Sequence, residues 1–474
     1  MRILTREIAN LVGEEVELMG WISARRDHGK IIFIDIRDRG GVVQVVFTPK
    51  EKTLYEAGDR LRPEWVVKIR GKIADRPKGM ENPAIPTGKL EVAATYLEVI
   101  SEAATLPLAV DGDGYEIGEE IRMRYRYLDL RRPRLQRNMR IRQKVFNFCR
   151  EFLSHRDFIE IETPILGRST PEGARDYLVP SRLHAGKFYA LPQSPQQYKQ
   201  LLMVSGFERY FQVARCFRDE DTRGDRQPEF TQLDIEMSFV KAEEVMALAE
   251  ELFTGLVQKV FPEHKFSEQP FPRITYADAM AKWKSDKPDL RKDPKDPKEL
   301  AFAFIVDFPM FEWKAEDPST SSGQGKGRWD AVHHPFTMPQ VKNLEEFREQ
   351  FAKDPGKMLA FQYDLVLNGY EVGGGSIRIH DPALLSAVFE AMGNKKAEVE
   401  EKFGHMLEAF SYGVPPHGGV ACGMDRVLSI LMGEPNIREV IALPKTGDGR
   451  DLMTGAPGEA TPAQLKELKL RMEK

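Results

Sequence analysis

The chain has 474 residues and a mass of 54.1 kDa, more than one hydrophobic core usually serves, so we expect two or three domains. Its composition, 41% hydrophobic and 30% charged, excludes a mostly disordered or fibrous protein. A net charge of −4 gives no overall sign of nucleic-acid binding. Residues 121–144, however, are strongly basic and contain one acid, which indicates either a solvated helix face or a patch that contacts a polyanion.

The cysteine pattern and the distribution of apolar residues limit the cellular setting. Cys149, Cys216 and Cys422 lie far apart, which excludes a disulfide framework and a cysteine-rich zinc site. No run approaches the roughly 20 apolar residues of a membrane span, and the first residues lack the apolar core of a secretory signal. The sequence therefore predicts a cytoplasmic protein without a membrane segment.

The first 105 residues have the pattern of a small β-barrel. Five short runs rich in β-branched residues are separated by turn signals, and one helical candidate, 51–61, falls between the third and fourth runs. This order is typical of an OB-fold. The predicted strands are 16–22, 31–37, 42–47, 65–73 and 90–100.

A linker and a larger mixed region follow the predicted barrel. Residues 106–120 are rich in Gly, Asp and Glu and indicate a linker, whereas 134–155 has the apolar spacing of a helix. Beyond it, strands and helices mix without a βαβ rhythm, so a doubly wound parallel sheet is not expected. The run 282–298 predicts an exposed loop, and 317–327 a second flexible stretch.

The first candidate for chemistry is the charged segment 217–234. A charge run is usually solvated surface, but apolar residues flank this one, and Arg218 lies inside the predicted strand rather than at the loop tip. A guanidinium in such a place needs an anionic partner, and a phosphate suits its planar fork.

The second candidate is a glycine-rich turn, 418–431. It predicts a strand of small residues that turns into an apolar helix, with Arg426 in the first helical turn, where backbone N–H groups favour an anion. One such turn is a weak signal. Two arginines around a common space would be stronger, because a triphosphate carries charge at both ends.

The third candidate is the segment 364–380. Asp364 and Glu371 could present carboxylates to a divalent cation, and the glycines 373–375 would let backbone approach a ligand closely. Arg378 could bind a carboxylate through two parallel hydrogen bonds of its guanidinium group. The alternative interpretation is a glycine bulge between surface strands.

These segments resemble the signature motifs of class II aminoacyl-tRNA synthetases: FIEIETP (158–164), the loop around Arg218 and the turn around Arg426. Other segments are similar to bacterial-type aspartyl-tRNA synthetases, and the resemblance spans residues 20–445. The further matching segments are RYLDLRR (126–132), TPEGARDY (170–177), QSPQ (193–196), HHPFT (333–337) and GGGSIRIH (373–380).

The resemblance implies an α+β protein of three parts. They are an OB-fold anticodon-binding domain over 1–105, a hinge over 106–137, and a class II catalytic domain over 138–474 with an antiparallel β-sheet flanked by helices. Segment 158–164 matches the family's dimer motif and implies a homodimer. One departure is clear, because the large inserted domain of bacterial members is missing near 286–300.

The resemblance also implies a two-step reaction with ATP, L-aspartate and tRNA. Aspartyl-adenylate would form first, and the aspartyl group would then pass to tRNA. Arg218, Glu371 and Arg426 would be the catalytic residues, and Asp364 with Glu371 would hold Mg²⁺. The residues implied to bind ATP are Arg218, Asp219, Glu220, Gln227, Phe230, Glu371, Gly423, Met424, Asp425 and Arg426.

Selection of aspartate would rest on fixed positive charge. Lys199 and Arg378 match the family's positions for the substrate side chain, and we expect a neutral amide to be rejected because it would leave both cations unpaired. The residues implied to bind aspartate are Glu172, Ser194, Gln196, Lys199, Arg218, His333 and Arg378.

In the predicted barrel, Phe33 would stack on an anticodon base, while Gln44 and Glu91 would hydrogen-bond base edges. Without the resemblance, a strand aromatic is more often core. His28 and Gly79 match the family's relaxed members, which charge both tRNA(Asp) and tRNA(Asn). The alternative is a discriminating enzyme that charges tRNA(Asp) only.

Two other functions are compatible with this fold. A non-catalytic RNA-binding relative should have lost Arg218, Arg426 or Glu371, and all three are present. An enzyme for asparagine or lysine would use the same class of site, but a cationic pocket favours an anionic substrate.

Overall fold

The computed structural model describes residues 2–169, 174–222, 224–315 and 327–472. Glu172 and most of the predicted flexible stretch 317–327 lie outside these ranges. The chain forms two compact units, Met1–Glu116 and Ile117–Lys474. Among the described residues, no helix has both the length and the apolar character that a membrane crossing requires.

The first unit is a closed five-stranded barrel in which the strands follow the order β1-β2-β3-β5-β4. The strands alternate between core and outer face, as in β2, where Ile32, Ile34 and Ile36 are buried. All five predicted strands and the helix are confirmed, and the barrel is the predicted OB-fold. Its elements are β1 (Glu15–His28), β2 (Ile31–Asp38), β3 (Gly41–Phe47), α1 (Lys52–Asp59), β4 (Val66–Asp75), β5 (Leu90–Ser101) and a short 3₁₀ helix at Thr5–Asn10.

The second unit combines one large sheet with helices. The helices are α2 (Glu119–Arg124), α3 (Arg126–Asp129), α4 (Pro133–Ser154), α5 (Gln196–Val204), α6 (Ala242–Val260), α7 (Tyr276–Trp283), α8 (Leu344–Lys353), α9 (Pro382–Ala391), α10 (Lys396–Ser411), α11 (Met424–Met432) and α12 (Pro462–Leu468). Two 3₁₀ helices lie at Pro355–Lys357 and Ile437–Glu439. The strands are β6 (Ile159–Glu160), β7 (Leu178–Pro180), β8 (Phe188–Ala190), β9 (Arg209–Phe217), β10 (Glu229–Ser238), β11 (Lys265–Phe266), β12 (Arg273–Thr275), β13 (Glu299–Leu300), β14 (Phe302–Val306), β15 (Phe311–Lys314), β16 (Arg328–Ala331), β17 (Gln362–Leu367), β18 (Tyr370–Ile377) and β19 (His417–Gly423).

The large sheet has eight strands in the order β12-β14-β17-β18-β19-β10-β9-β6. Its central pairs, from β14 to β9, are antiparallel, and only the two edge pairs are parallel. Helices α4 and α6 cover one face with an apolar core that includes Val145, Cys149, Leu252 and Phe253. The predicted α+β class and antiparallel sheet are confirmed, and the polar opposite face is left for a site.

The basic segment 121–144 is partly internal. Arg126, which is fully buried, donates to the backbone carbonyls of Arg438, Ile441 and Ala442, and it pairs with the buried Asp129. Because the buried arginines make such internal contacts, the run is not simply a solvated face. Its remaining exposed cations are Arg124, Arg137, Arg140 and Lys144. The segment anchors the chain that follows the barrel to the segment after α11.

Candidate active site

The hairpin of β9 and β10 holds the charged loop that contains Arg218. The two strands pair antiparallel, with Phe217 opposite Glu229. Arg218 is the first residue after β9, not a residue inside the strand as the sequence suggested, and its backbone N–H donates to the Pro228 carbonyl at 2.9 Å. The predicted strand–loop–strand is confirmed, and this backbone contact fixes where the guanidinium emerges.

The turn from β19 into α11 places the second arginine. Gly423 precedes the helix, and Arg426 is its third residue. The guanidinium pairs with the Asp225 carboxylate at 3.1 Å and donates to the Glu371 backbone carbonyl. Its neighbour Asp425 is buried, accepts from the Thr231 N–H at 2.8 Å and pairs with Arg142 at 2.5 Å. Asp425 therefore mainly connects the start of α11 to β10 and α4.

Arg218 and Arg426 line one cavity of about 420 Å³, although about 200 residues separate them in the chain. Among the predicted residues, Asp219 and Met424 do not line it, since Asp219 pairs its backbone with Arg175 and Met424 is fully buried in the core. The predicted site residues that the cavity does bring together are Ser194, Gln196, Lys199, Arg218, Glu220, Gln227, Phe230, His333, Asp364, Glu371, Arg378, Gly423, Asp425 and Arg426.

The end of the cavity at Arg218 is open and polar. The Arg218 guanidinium lies over the Phe230 ring at 5.1 Å and has no ion-pair partner among the residues that the structure describes. Gln227 is buried, and its side-chain carbonyl accepts from the Lys445 N–H at 2.8 Å. An aromatic ring beside an uncompensated guanidinium can receive a flat base and a phosphate.

The opposite end holds a buried cluster of four charged groups. Lys199 lies 2.5 Å from Asp234 and 3.3 Å from Glu236, and Arg378 binds Glu236 at 3.0 Å. The expectation that an amide substrate would leave both cations unpaired is therefore wrong, because the protein's own carboxylates already pair them. Asp234 and Glu236 are functional candidates that the sequence analysis missed.

Burial and charge act in opposite directions on these two carboxyl groups. Complete burial raises the pKa of Asp234, and the Lys199 ammonium offsets that rise only in part. For Glu236 burial also disfavours the charged form, but the Arg378 and Lys199 charges outweigh it and lower the pKa to about 2. Glu236 is thus held as a carboxylate that fixes both cations.

The two adjacent histidines have different environments. His333 lies 3.2 Å from Asp364. Burial lowers the pKa of His333, but the charge and hydrogen bond of Asp364, together with the Glu371 and Asp286 charges, outweigh burial and raise it. His334 is held by Arg378 at 3.0 Å, and burial together with that cation lowers its pKa well below the usual value. His333 therefore tends to be charged beside a carboxylate, whereas His334 is neutral.

Asp364 and Glu371 share one face of the sheet because of an irregularity in strand pairing. Asp364 lies opposite Gly374, but the register shifts at Leu365/Val366, so that Glu371 lies opposite Val366, on the side of Asp364. Glu371 is exposed to the cavity, where desolvation by the surrounding walls and the Asp364 charge raise its pKa. The oxygens of two neighbouring carboxylates are suitable ligands for a hard divalent cation.

The glycines of β18 are required by close packing. A Cβ on Gly375 would lie 2.3 Å from the Gly419 carbonyl oxygen, and one on Gly374 would press on Asp364 at 3.0 Å. The alternative interpretation, a glycine bulge between surface strands, is wrong in both parts. The irregularity falls at Val372 while the glycines pair regularly, and this strand pair lines the cavity rather than the surface.

The barrel carries a second polar surface. Phe33 is half-buried on the outer face, outside the barrel core, and its ring meets that of His28 edge-on at 6.3 Å. Gln44 lies opposite Glu91 and donates to it at 3.0 Å. Gly79 lies in the loop between β4 and β5 with φ of 87° and open space where a side chain would be.

Comparison with known proteins identifies both units. Residues 118–447 match the family model of class II tRNA synthetases for aspartate, lysine and asparagine, and residues 16–100 match an OB-fold nucleic-acid-binding domain. An aspartate–tRNA(Asp/Asn) ligase of Dehalococcoides mccartyi is 42% identical over 98% of this chain and 97% of that protein. The chain belongs to the aspartate–tRNA(Asp/Asn) ligase family of class II tRNA synthetases. The resemblance inferred from the motifs is confirmed.

Other relatives of the synthetase agree. Ligases of the same name from Rubrobacter xylanophilus and Corynebacterium jeikeium are 40% and 42% identical over 98% and 96% of this chain, and 95% of each relative is covered. With the first relative, 98% of the 474 residues aligns across 596 positions, so more than a hundred positions have no counterpart here. This length difference is consistent with the missing inserted domain.

Solved structures support the fold. Asparaginyl-tRNA synthetase of Pyrococcus horikoshii, solved with asparaginyl-adenylate, superposes with a TM-score of 0.74 at 23% identity, over 94% of this chain and 98% of that one. A putative aspartyl-tRNA synthetase of Leishmania major gives 0.72 at 21% identity, over 94% of both chains. At these identities the similarity establishes the architecture alone.

Proposed function

We propose that this synthetase activates L-aspartate with ATP and transfers the aspartyl group from aspartyl-adenylate to both tRNA(Asp) and tRNA(Asn). The observation that carries the proposal is one cavity lined by Arg218 and Arg426 at one end and by Lys199 and Arg378 at the other. The relatives' shared name supports aspartate and the two tRNAs.

The first step needs charge stabilisation and alignment rather than a covalent enzyme intermediate. Arg218, which has no competing ion pair among the described residues, holds the α-phosphate and stabilises the charge that builds as the substrate carboxylate attacks. Phe230 stacks under adenine. Arg426 holds the γ-phosphate, exchanging its contact with Asp225 for the stronger anion.

Glu220 and Gln227 contact the nucleotide from the loop side, and Gly423 lets the backbone approach it closely. Asp425 acts through its contacts with Thr231 and Arg142, which brace the α11 turn. Asp364 and Glu371 hold Mg²⁺, which when bound neutralises phosphate charge.

The aspartate side chain enters at the buried charge cluster. Its carboxylate accepts hydrogen bonds from Lys199 and Arg378, which Glu236 holds in fixed positions. Ser194, Gln196 and His333 line the same end of the cavity, and Glu172 is assigned there by family resemblance.

The simplest test is aspartate-dependent exchange of pyrophosphate into ATP. We expect exchange with aspartate and far less with asparagine or lysine. Exchange with asparagine alone would reject aspartate as the substrate, and no exchange with any of the three would reject the proposed enzymatic activity.

Aminoacylation of purified tRNA(Asp) and tRNA(Asn) side by side then tests the second step. Charging of tRNA(Asp) alone would identify a discriminating enzyme.

The barrel would bind the anticodon through Phe33, whose ring stacks on a base, with Gln44 and Glu91 reading base edges. His28 packs beside Phe33, and the open space at Gly79 leaves room for either pyrimidine at the third anticodon position. Replacing Gly79 with aspartate should reduce charging of tRNA(Asn) more than of tRNA(Asp). Equal losses for both tRNAs would contradict this role.

We also propose a homodimer in the cytoplasm. Ile159 in segment 158–164 is 47% exposed on edge strand β6, where an apolar residue suits an interface. The three cysteines Cys149, Cys216 and Cys422 are buried and free, as a reducing compartment allows. Light scattering should give about twice 54.1 kDa, and a monomer mass would refute the dimer.

A further inference from the structure

A chain of side-chain hydrogen bonds runs beneath the aspartate end of the cavity. Gln196 and Gln200 lie one helical turn apart on α5, and the amide nitrogen Nε2 of Gln196 is 3.0 Å from Oε1 of Gln200. Nε2 of Gln200 is 3.1 Å from Nε2 of His417, at the start of β19. Gln200 and His417 are fully buried, whereas Gln196 lines the cavity.

The direction of every bond in this chain follows from its last contact. Nδ1 of His417 lies 2.8 Å from the Pro415 carbonyl oxygen, which can only accept, so Nδ1 carries a proton. In a neutral ring, Nε2 then has a lone pair and must accept from the Gln200 amide N–H. Gln200 Oε1 therefore accepts from the Gln196 amide N–H. Gln196 is left with its oxygen toward the cavity.

The surroundings of His417 keep its ring neutral. The charged groups that face it are Glu236 and Arg378, with His380 as a further titratable neighbour. Burial is the main influence and lowers the pKa of His417 to about 4, although the Glu236 charge opposes it. The ring of Phe410 packs edge-on at 6.2 Å and adds to the apolar enclosure.

We propose that Gln200 and His417 are positioning residues that hold the Gln196 amide with Oε1 toward the cavity, where it accepts a hydrogen bond from the α-ammonium of the substrate amino acid. The flipped amide would point N–H groups at that ammonium and oppose its binding. No described residue donates to Gln196 Oε1. The inference rests on the proposed function and adds the origin of its selectivity for an amino acid over a plain dicarboxylic acid.

The test compares aspartate with succinate, a dicarboxylic acid that lacks the ammonium. In His417→Leu and in Gln200→Leu, the KM for aspartate should rise about ten- to a hundredfold, as expected for loss of a hydrogen bond to a charged group. The KM for ATP and the inhibition constant of succinate should stay within a factor of about two, since neither involves Gln196 Oε1. A purely structural role would weaken all three together.

A rescue variant and a matched control sharpen the test. His417→Gln places an amide oxygen near the former Nε2, and should restore most of the aspartate affinity. His405 also contacts a glutamine of the same helix, its Nε2 lying 2.8 Å from the side-chain oxygen of Gln197, but Gln197 does not line the cavity. His405→Leu should therefore leave the ratio of aspartate KM to succinate inhibition constant unchanged.

The outcomes separate this inference from the proposed function. If the unaltered enzyme lacks aspartate-dependent exchange, the proposed function fails. If that exchange is present but His417→Leu leaves the aspartate-to-succinate ratio unchanged, the positioning role is overturned.

Should the leucine variants fail to fold, nitrogen NMR of the intact ¹⁵N-histidine-labelled protein decides instead. The His417 signals, assigned by their loss in His417→Gln, should show a protonated Nδ1 and an unprotonated Nε2. The opposite tautomer would refute the chain's direction and with it the proposal.

Discussion

The two ends of the cavity differ in how their cations are held. At the ATP end, Arg218 has no ion-pair partner among the described residues, and Arg426 is partly exposed and bound to one carboxylate. At the aspartate end, Lys199 and Arg378 are almost completely buried and lie within 3.3 Å of Asp234 or Glu236. Both ends serve an anion, but only at the aspartate end are both cations paired with carboxylates before the ligand arrives.

The difference follows from solvation. A guanidinium at an open cavity mouth stays hydrated until a polyphosphate displaces the water, so its charge costs the fold little. Cations enclosed in the protein interior must be neutralised within the fold itself. We therefore expect substitutions at the ATP end to change activity alone, and those at the aspartate end to change activity and stability together.

The largest effect is expected for Lys199→Met. Its removal leaves Asp234 and Glu236 buried with one cation fewer, and breaking such a buried pair costs about 3–5 kcal/mol of the free energy of unfolding. Urea denaturation measures this loss. Lys265, which pairs with Asp296 on the surface, is the matched control, and Lys265→Met should leave the midpoint unchanged. If Lys199→Met left the free energy of unfolding unchanged, the proposed difference between the two ends of the cavity would be wrong.

Arg218→Ala should lower kcat/KM for pyrophosphate exchange by about a hundred- to a thousandfold, since one preorganised donor to the developing charge is lost. The denaturation midpoint should not move. Arg215, which lies on β9 just before Arg218 and pairs with Glu229 at the surface, is the control, and Arg215→Ala should retain exchange. A destabilised Arg218→Ala protein would mean that this arginine also supports the fold.

The pH dependence of stability separates the ends further. The folded-state pKa of Glu236, about 2, lies below its ordinary value of 4.5, so its stabilising contribution is present above pH 4.5 and is lost as the pH falls toward 2. That single group adds at most about 1.4 kcal/mol per pH unit to the slope. Glu236→Gln should flatten the profile between pH 5 and 2 relative to the unaltered protein, whereas Arg218→Ala should not; denaturation curves across this range measure both.

The smallest effect is expected for Phe230→Leu. Loss of ring stacking on adenine, about 1 kcal/mol, should raise the KM for ATP about fivefold. The KM for aspartate should not change, because Phe230 lies at the other end of the cavity. A parallel rise in both constants would indicate that the two ends are not independent.

The parts that the sequence predicted well are those set by local pattern. Barrel strands such as β2 alternate between core and surface, so their bounds follow from neighbouring residues. Arg218 and Arg426 were identified because arginine in an apolar setting needs an explanation that the chain nearby does not supply. The actual meeting of the two across a single cavity depends on the order of eight strands, which local pattern does not contain.

Asp234 and Glu236 were missed for a physical reason. In β10, polar residues alternate with Leu233 and Ile235, a pattern that predicts a strand with one face in water. The strand is instead central, and both of its faces are buried. The sequence did contain a usable signal, because the flanks of this strand indicate the middle of a sheet. Where such a strand has no face in water, polar residues on one of its faces must line a binding site or pair with each other.

The register shift between β17 and β18 restricts insertions and deletions in this part of the sequence. Side chains along a strand point alternately up and down, so removing or adding one residue between Asp364 and Gly374 would turn Glu371 toward the apolar core and bring a hydrophobic neighbour into the cavity. A substitution outside the close-packed glycines keeps this alternation of side chains, whereas a change in length reverses it. Insertions and deletions should therefore collect in the loops of the synthetase and spare this hairpin.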